Sequence, residues 1–143
     1  MNRILFFGFL LFMNALSGCE KKTAIARPVT EGNVVIDSDL YSQTSTKGYM
    51  ITEASIVGDS LFITFGASGC DPKGWSTKLV SVEGIAKSNP PQRDIRLALT
   101  NDQDCLAFFS VKQAFNISNI KVSGYDKLTI NLDGYEKPLR YSY

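Results

Sequence analysis

Two cysteines and the acids beside them are the residues of this chain best placed to do chemistry. Asp71 follows Cys70, Asp104 precedes Cys105, and Asn101 and Asp102 stand just upstream. A bond between Cys70 and Cys105 would bring Asp71, Asp102 and Asp104 to one end of the molecule. Carboxylates crowded together repel one another unless a cation joins them. Three outcomes are open: turn residues splayed into water, a pairing with Lys73, or a Ca²⁺ ion, which takes six to eight oxygens. No other metal and no cofactor is expected. The chain has no histidine, so it lacks the commonest general base and the commonest transition-metal ligand. Ser-His-Asp and Cys-His catalysis are excluded within it. An enzyme built here would have to work with carboxylates alone, as a two-acid glycosidase does. The chain is therefore read as a non-enzyme.

The third cysteine lies elsewhere. Arg3 opens the sequence with a charge, and Ile4 to Met13 is an apolar run with only Gly8 interrupting. That run suits the h-region of a secretory signal and is shorter than the roughly 20 residues a spanning helix needs. It leads into Leu16-Ser17-Gly18-Cys19, followed by Glu20-Lys21-Lys22. Leu-Ser-Gly-Cys resembles the lipobox of bacterial lipoproteins. The resemblance implies cleavage after Gly18, diacylation of Cys19 and a lipid anchor in the cell envelope. The absence of Asp after the cysteine leans toward the outer membrane, and Glu-Lys-Lys, a poor match to acidic surface-export signals, toward its periplasmic face.

With Cys19 assigned to lipid, two cysteines remain in an oxidising compartment, which predicts a Cys70–Cys105 disulfide. The net charge of the whole chain is +1. Nothing in it steers toward nucleic acid.

The elements that must position these residues read as all-β. Residues 1–18 are the signal, and residues 19–33, with Pro28 and Gly32, a lipidated tether reaching about 20 Å as a flexible coil. Residues 34–143 form one β domain, a length that suits a single core. Short apolar or alternating runs are punctuated by Gly, Pro, Asn and Asp. Strands are expected at 34–36, 49–57, 61–67, 75–82, 94–100, 105–111, 127–132 and from Leu139 onward. Residues 38–48 read as loop, and no helix is expected. Ile95, Leu97 and Leu99 face inward, as do Leu128, Ile130 and Leu132. Cys105 to Val111, apolar on both faces, reads as a central strand. Seven to eight closely spaced strands predict an antiparallel two-sheet sandwich, Ig-like in general form. A small up-and-down barrel is the alternative.

Several local patterns have two readings. Gly58-Asp59-Ser60-Leu61 resembles the signature of GDSL hydrolases and would make Ser60 a nucleophile; it is also good hairpin chemistry, and the histidine that family needs is missing. Asn116-Ile117-Ser118 and Asp59-Ser60-Leu61 match short glycosylation patterns. Trp75 is a core ring beside the disulfide or a ligand platform near the glycine-rich stretch 66–74. Tyr141 and Tyr143 share a face as a packing pair or a sugar-stacking stripe. Lys73, Lys78, Lys87, Arg93 and Arg96 read as solvated charges.

These features point to an envelope-anchored lipoprotein carrying a small binding or structural domain, with the membrane as its partner through the lipid and a protein or glycan as ligand. The alternative is an inhibitor of an envelope-attacking hydrolase, using a loop such as Ser88-Asn89-Pro90-Pro91-Gln92 to plug a cleft. Ser123-Gly124-Tyr125 is similar to one lysozyme-inhibitor motif, with different spacing.

Overall fold

A computed structural model describes residues 25–26 and 30–143. The signal, the lipobox and Cys19 lie outside the described residues. In chain order the strands are β1 (Ile25–Ala26), β2 (Thr30–Asn33), β3 (Val35–Ile36), β4 (Tyr49–Val57), β5 (Ser60–Ser68), β6 (Ser76–Ser81), β7 (Gln92–Thr100), β8 (Phe108–Asn116), β9 (Lys127–Leu132) and β10 (Leu139–Ser142). One six-residue helix, α1 (Ser38–Gln43), precedes β4.

The strands make two packed sheets that do not close into a barrel. In the first, β1 and β2 pair along one side of β8, followed by β5 and β4; the second runs β10-β9-β7-β6-β3. The expected sandwich is present, but its sheets are mixed rather than antiparallel. Parallel pairings join β1 and β2 to β8, β3 to β6, and β7 to β9. Parallel neighbours need a crossover between them. For β7 and β9 that crossover is β8, which lies in the opposite sheet.

Between the sheets, period-two alternation drives Leu61, Ile63, Phe65, Ile95, Leu97, Val111, Phe115, Leu128, Ile130 and Tyr141 into a common core. Tyr49 ties the two layers directly: its hydroxyl donates to the Leu97 carbonyl at 2.5 Å, and burial pushes its pKa up to about 12.

Four sequence expectations shift. The segment 19–33 is not tether throughout, since β1 and β2 belong to the first sheet. The stretch 38–48 contains a helix, because Asp37 caps it, its Oδ1 accepting from Leu40 N at 2.8 Å. The central strand is Phe108–Asn116 rather than 105–111. The disulfide holds Cys105 outside the ladder, and Leu106 is exposed. Arg93 is buried, not solvated. Its parity on β7 is that of Ile95 and Leu97, so its guanidinium turns inward, where Nη1 donates to Ser81 Oγ at 3.2 Å and to the Val82 carbonyl at 2.8 Å. Desolvation holds its pKa below the usual arginine value.

Candidate functional site

Strand direction sorts the chemistry-bearing residues to two opposite ends of the sandwich. At one end β5 finishes, β6 and β8 start, and β7 finishes. Here Cys70 and Cys105 are bonded, with Cα atoms 4.9 Å apart.

The acids beside that bridge do not converge. Among the described residues no three acidic or other metal-ligating side chains group to hold an ion, so the calcium site of Asp71, Asp102 and Asp104 is discarded. The Asp71 carboxylate turns back to its own segment, where Oδ1 accepts from Lys73 N at 2.9 Å and caps a single 3₁₀ turn, Pro72–Gly74. The Lys73 contact is thus made by its backbone. The organising group is Gln103, a residue that no local sequence pattern marks out. Its Oε1 accepts from Cys70 N at 2.7 Å, Asp71 N at 3.0 Å and Trp75 Nε1 at 3.3 Å, while Nε2 donates to the Asp71 carbonyl at 3.0 Å. The glycines around it make room. A Cβ on Gly69 would lie 2.8 Å from Gln103 Oε1, and one on Gly74 would lie 2.7 Å from Nε2. Trp75 is buried against Phe65 and Phe109. The glycine-rich stretch therefore serves packing, and Trp75 is a core ring rather than a ligand platform.

At the other end the Gly58-Asp59 turn meets the last strand. Asp59 Oδ1 accepts from the Tyr141 hydroxyl at 2.6 Å, and Oδ2 accepts from Lys121 Nζ at 3.0 Å. These bonds, Tyr141 first and Lys121 second, hold the Asp59 carboxyl below its usual range. Burial, then the hydrogen bond to Asp59, pushes the Tyr141 hydroxyl well above its own. Tyr143 packs against Tyr141 in a tilted pair with centroids 4.8 Å apart, and Lys121 lies over both rings. The two tyrosines are a packing pair, not a stripe open to sugars. Ser60 opens β5 in register with Val57 and Asn116. With both Asp59 oxygens occupied, the Gly-Asp-Ser-Leu motif builds a latch between hairpin and C-terminal strand.

Beside that latch lies a cleft of about 390 Å³. Asn89 and Pro90 form one wall, Tyr125, Asp126 and Lys127 another, and Thr129, Arg140 and Ser142 the floor. The floor exists because β9 and β10 pair antiparallel, with Arg140 opposite Thr129 and Ser142 opposite Lys127, all on the outward parity. The Asn89 wall is a closed hairpin: Ala86 and Gln92 exchange backbone bonds, Ser88 Oγ donates to the Pro90 carbonyl at 2.7 Å, and Gln92 Nε2 donates to Ser88 Oγ at 3.2 Å. Neither Lys127 nor Arg140 forms an ion pair among the described residues, and Tyr125 is 47% exposed. Two free cations, a carboxylate, an open ring and two hydroxyls can orient a small polar ligand by hydrogen bonds and charge. Pro90 belongs to the proline loop that the sequence marked, and Tyr125 to the motif at 123–125. Arg140 and Lys127 carried no signal, because only the β9–β10 register puts them together.

Two solved structures share this fold. One is a protein of unknown function, DUF1344, from Bacteroides vulgatus, 16% identical with a TM-score of 0.54 over 84% of this chain and 57% of that one. The other is a protein from Parabacteroides distasonis described as toxin-related, 16% identical with a TM-score of 0.50 over 84% of this chain and 61% of that one. The chain thus spans about three-fifths of each, and identity that low speaks to fold alone. No protein-family model matches the sequence, and no curated protein matches it.

Proposed function

We propose that this chain is a lipoprotein of the bacterial envelope, held through acylated Cys19 on the periplasmic face of the outer membrane, whose β domain binds a small anionic ligand in the cleft between Pro90 and Arg140. The observation that carries the binding reading is the pair of cations, Lys127 and Arg140, lining a concave site with no acid paired to either among the described residues. Guanidinium and ammonium groups favour carboxylate and phosphate partners. Asp126 and the hydroxyls of Thr129 and Ser142 would supply acceptors and donors to a ligand that also carries hydroxyl or amide groups, as envelope glycans and peptides do. The reading is one of a receptor; the single carboxylate of the cleft, Asp126, gives no support to two-acid glycoside hydrolysis there.

The anchor and the ligand are tested separately. Mass spectrometry of membrane-extracted protein should find residues 19–143 plus acyl chains, and Cys19→Ala should leave the membrane fraction. Capture from solubilised envelopes with wild type and with the Lys127→Ala/Arg140→Ala double variant should enrich a component with the first and lose it with the second. Equal capture by both would remove the cleft from consideration.

A second reading, inhibition of an attacking hydrolase, is favoured by one feature: the 86–92 hairpin is closed by its own hydrogen bonds and carries exposed Lys87 and Asn89 at its tip. Inhibition of a cell-wall hydrolase that Asn89→Ala abolishes and Arg140→Ala leaves intact would establish it.

A further inference from the structure

Three of the most exposed large apolar side chains gather at the disulfide end. Leu106 is 94% exposed, Met50 60% and Phe108 51%. Met50 stands opposite Gly66 across the β4–β5 ladder, and the Phe108 ring lies directly over Gly66. The two side chains therefore adjoin on the outer face of the first sheet. Leu106 comes two residues before Phe108 and directly after Cys105, so the bridge to Cys70 fixes its position.

The chain's route gives this apolar end an occupant. β1 runs parallel to β8, with Ile25 opposite Val111. Traced backward from Ile25, the chain heads toward the start of β8, which is Phe108. From Cys19 to Ile25 the chain spans at most about 20 Å. The end of β1 that leads back toward Cys19 is thus the end nearest Phe108, and an acyl group on Cys19 is within reach of Leu106 and Phe108. We propose that the disulfide end of the sandwich rests on the lipid surface, with Leu106, Phe108 and Met50 entering its interface. The inference builds on the lipoprotein reading and adds the orientation of the domain: the anchor end lies down on the membrane and the cleft points away from it.

Charge narrows the lipid. Asp71, Asp102 and Asp104 lie in the loops of this end, offset by Lys73 and by Lys47 in the loop before β4. That balance gives no attraction to an anionic surface. The contact is apolar burial at a zwitterionic interface, and it holds as salt is raised, unlike an ionic one.

The test uses the full acylated protein in vesicles of phosphatidylcholine and phosphatidylethanolamine. Leu106→Trp places a reporter at the proposed contact. Val57→Trp places one at the far end of β4, seven residues from Met50 and about 24 Å away. Both positions are exposed, so neither change disturbs the core. Quenching by brominated phosphatidylcholine, read as the difference from wild type to subtract Trp75, should be at least about threefold stronger for the reporter at 106, and unchanged in raised salt. Acyl mass on Cys19 with equal quenching at both positions overturns the contact and leaves the anchor standing. No acyl mass on Cys19 overturns both. Quenching that disappears in raised salt, or that appears only with phosphatidylglycerol, overturns the apolar, zwitterionic contact. Shielding of the reporter at 106 that instead depends on protein concentration assigns the patch to a second copy of the chain.

Discussion

Gln103 shows how one side chain can order a loop that its neighbours' chemistry does not explain. A single amide oxygen accepts from two backbone N–H groups and the Trp75 indole. Gln103→Ala should destabilise the domain by about 1 kcal/mol, since water can take over the exposed Cys70 and Asp71 donors and only the Trp75 indole loses a part-buried acceptor. Chemical denaturation checks it; a midpoint shift without a change in slope is expected. Asp59 makes a pH prediction. Its pKa is lowered in the folded state by the Tyr141 and Lys121 bonds. Between that value and the ordinary carboxylate pKa of about 4, the unfolded chain binds more protons than the folded one. The stabilisation is therefore complete above about pH 4 and fades as pH falls below it. Thermal unfolding from pH 6 to pH 2 should show this fall in wild type, and Asp59→Asn should flatten it. Tyr141 works in the opposite sense. Its raised pKa makes its contribution full below about pH 10 and lost as the pH rises further.

The element most dependent on tertiary support is α1. Six residues are too few for a helix to persist alone in water. Asp37 caps its start, and Arg96 on β7 holds its end. Arg96 Nη1 donates to the Tyr41 and Thr44 carbonyls at 2.8 and 2.7 Å, and its guanidinium lies 4.3 Å from the centre of the Tyr41 ring. Asp133 completes the set, its Oδ2 accepting from Arg96 Nε at 2.8 Å. Cationic donors at the last carbonyls also oppose the negative end of the helix. Arg96→Ala should cost about 2 kcal/mol. Amide hydrogen exchange across residues 38–44 should accelerate more than in β4 or β8. Arg96→Lys should recover only part of the protection, since an ammonium cannot serve two carbonyls and a carboxylate in one plane. Uniform acceleration across all strands would mean that Arg96 supports the sheet rather than the helix.

Across the whole molecule the disulfide closes a loop with a sequence separation of 35 residues. In the chain-entropy view that closure stabilises by about 4 kcal/mol, a large part of the 5–15 kcal/mol typical of a domain. Reduction should therefore lower the unfolding midpoint strongly. It should also free Leu106 and Gln103 together, because both stand within two residues of Cys105. A Cys70→Ser/Cys105→Ser variant whose stability matches wild type would refute this. The same separation of ends gives the molecule its proposed polarity, with the bridge and apolar residues at one pole and the cleft, the Asp59 latch and the closed hairpin at the other.

By itself the sequence determined what local chemistry and period-two alternation can encode. Strand 49–57 stands where the Gly58-Asp59-Ser60 turn puts a hairpin arm and strand 127–132 where its alternation puts it, the all-β sandwich follows from strand number and spacing, and the Cys70–Cys105 bridge follows from cysteine arithmetic. Four things needed the tertiary structure. The parallel pairing of β7 with β9 depends on β8 crossing to the opposite sheet, and no local signal records which sheet a strand joins. The helix at 38–43 depends on Arg96, more than fifty residues away. Arg93 has an inward parity, yet its charge argues for solvent; only the Ser81 and Val82 acceptors make burial tolerable. The meeting of Lys127 with Arg140, and of Met50 with Phe108, depends on strand register, which is set by the packing of the whole core.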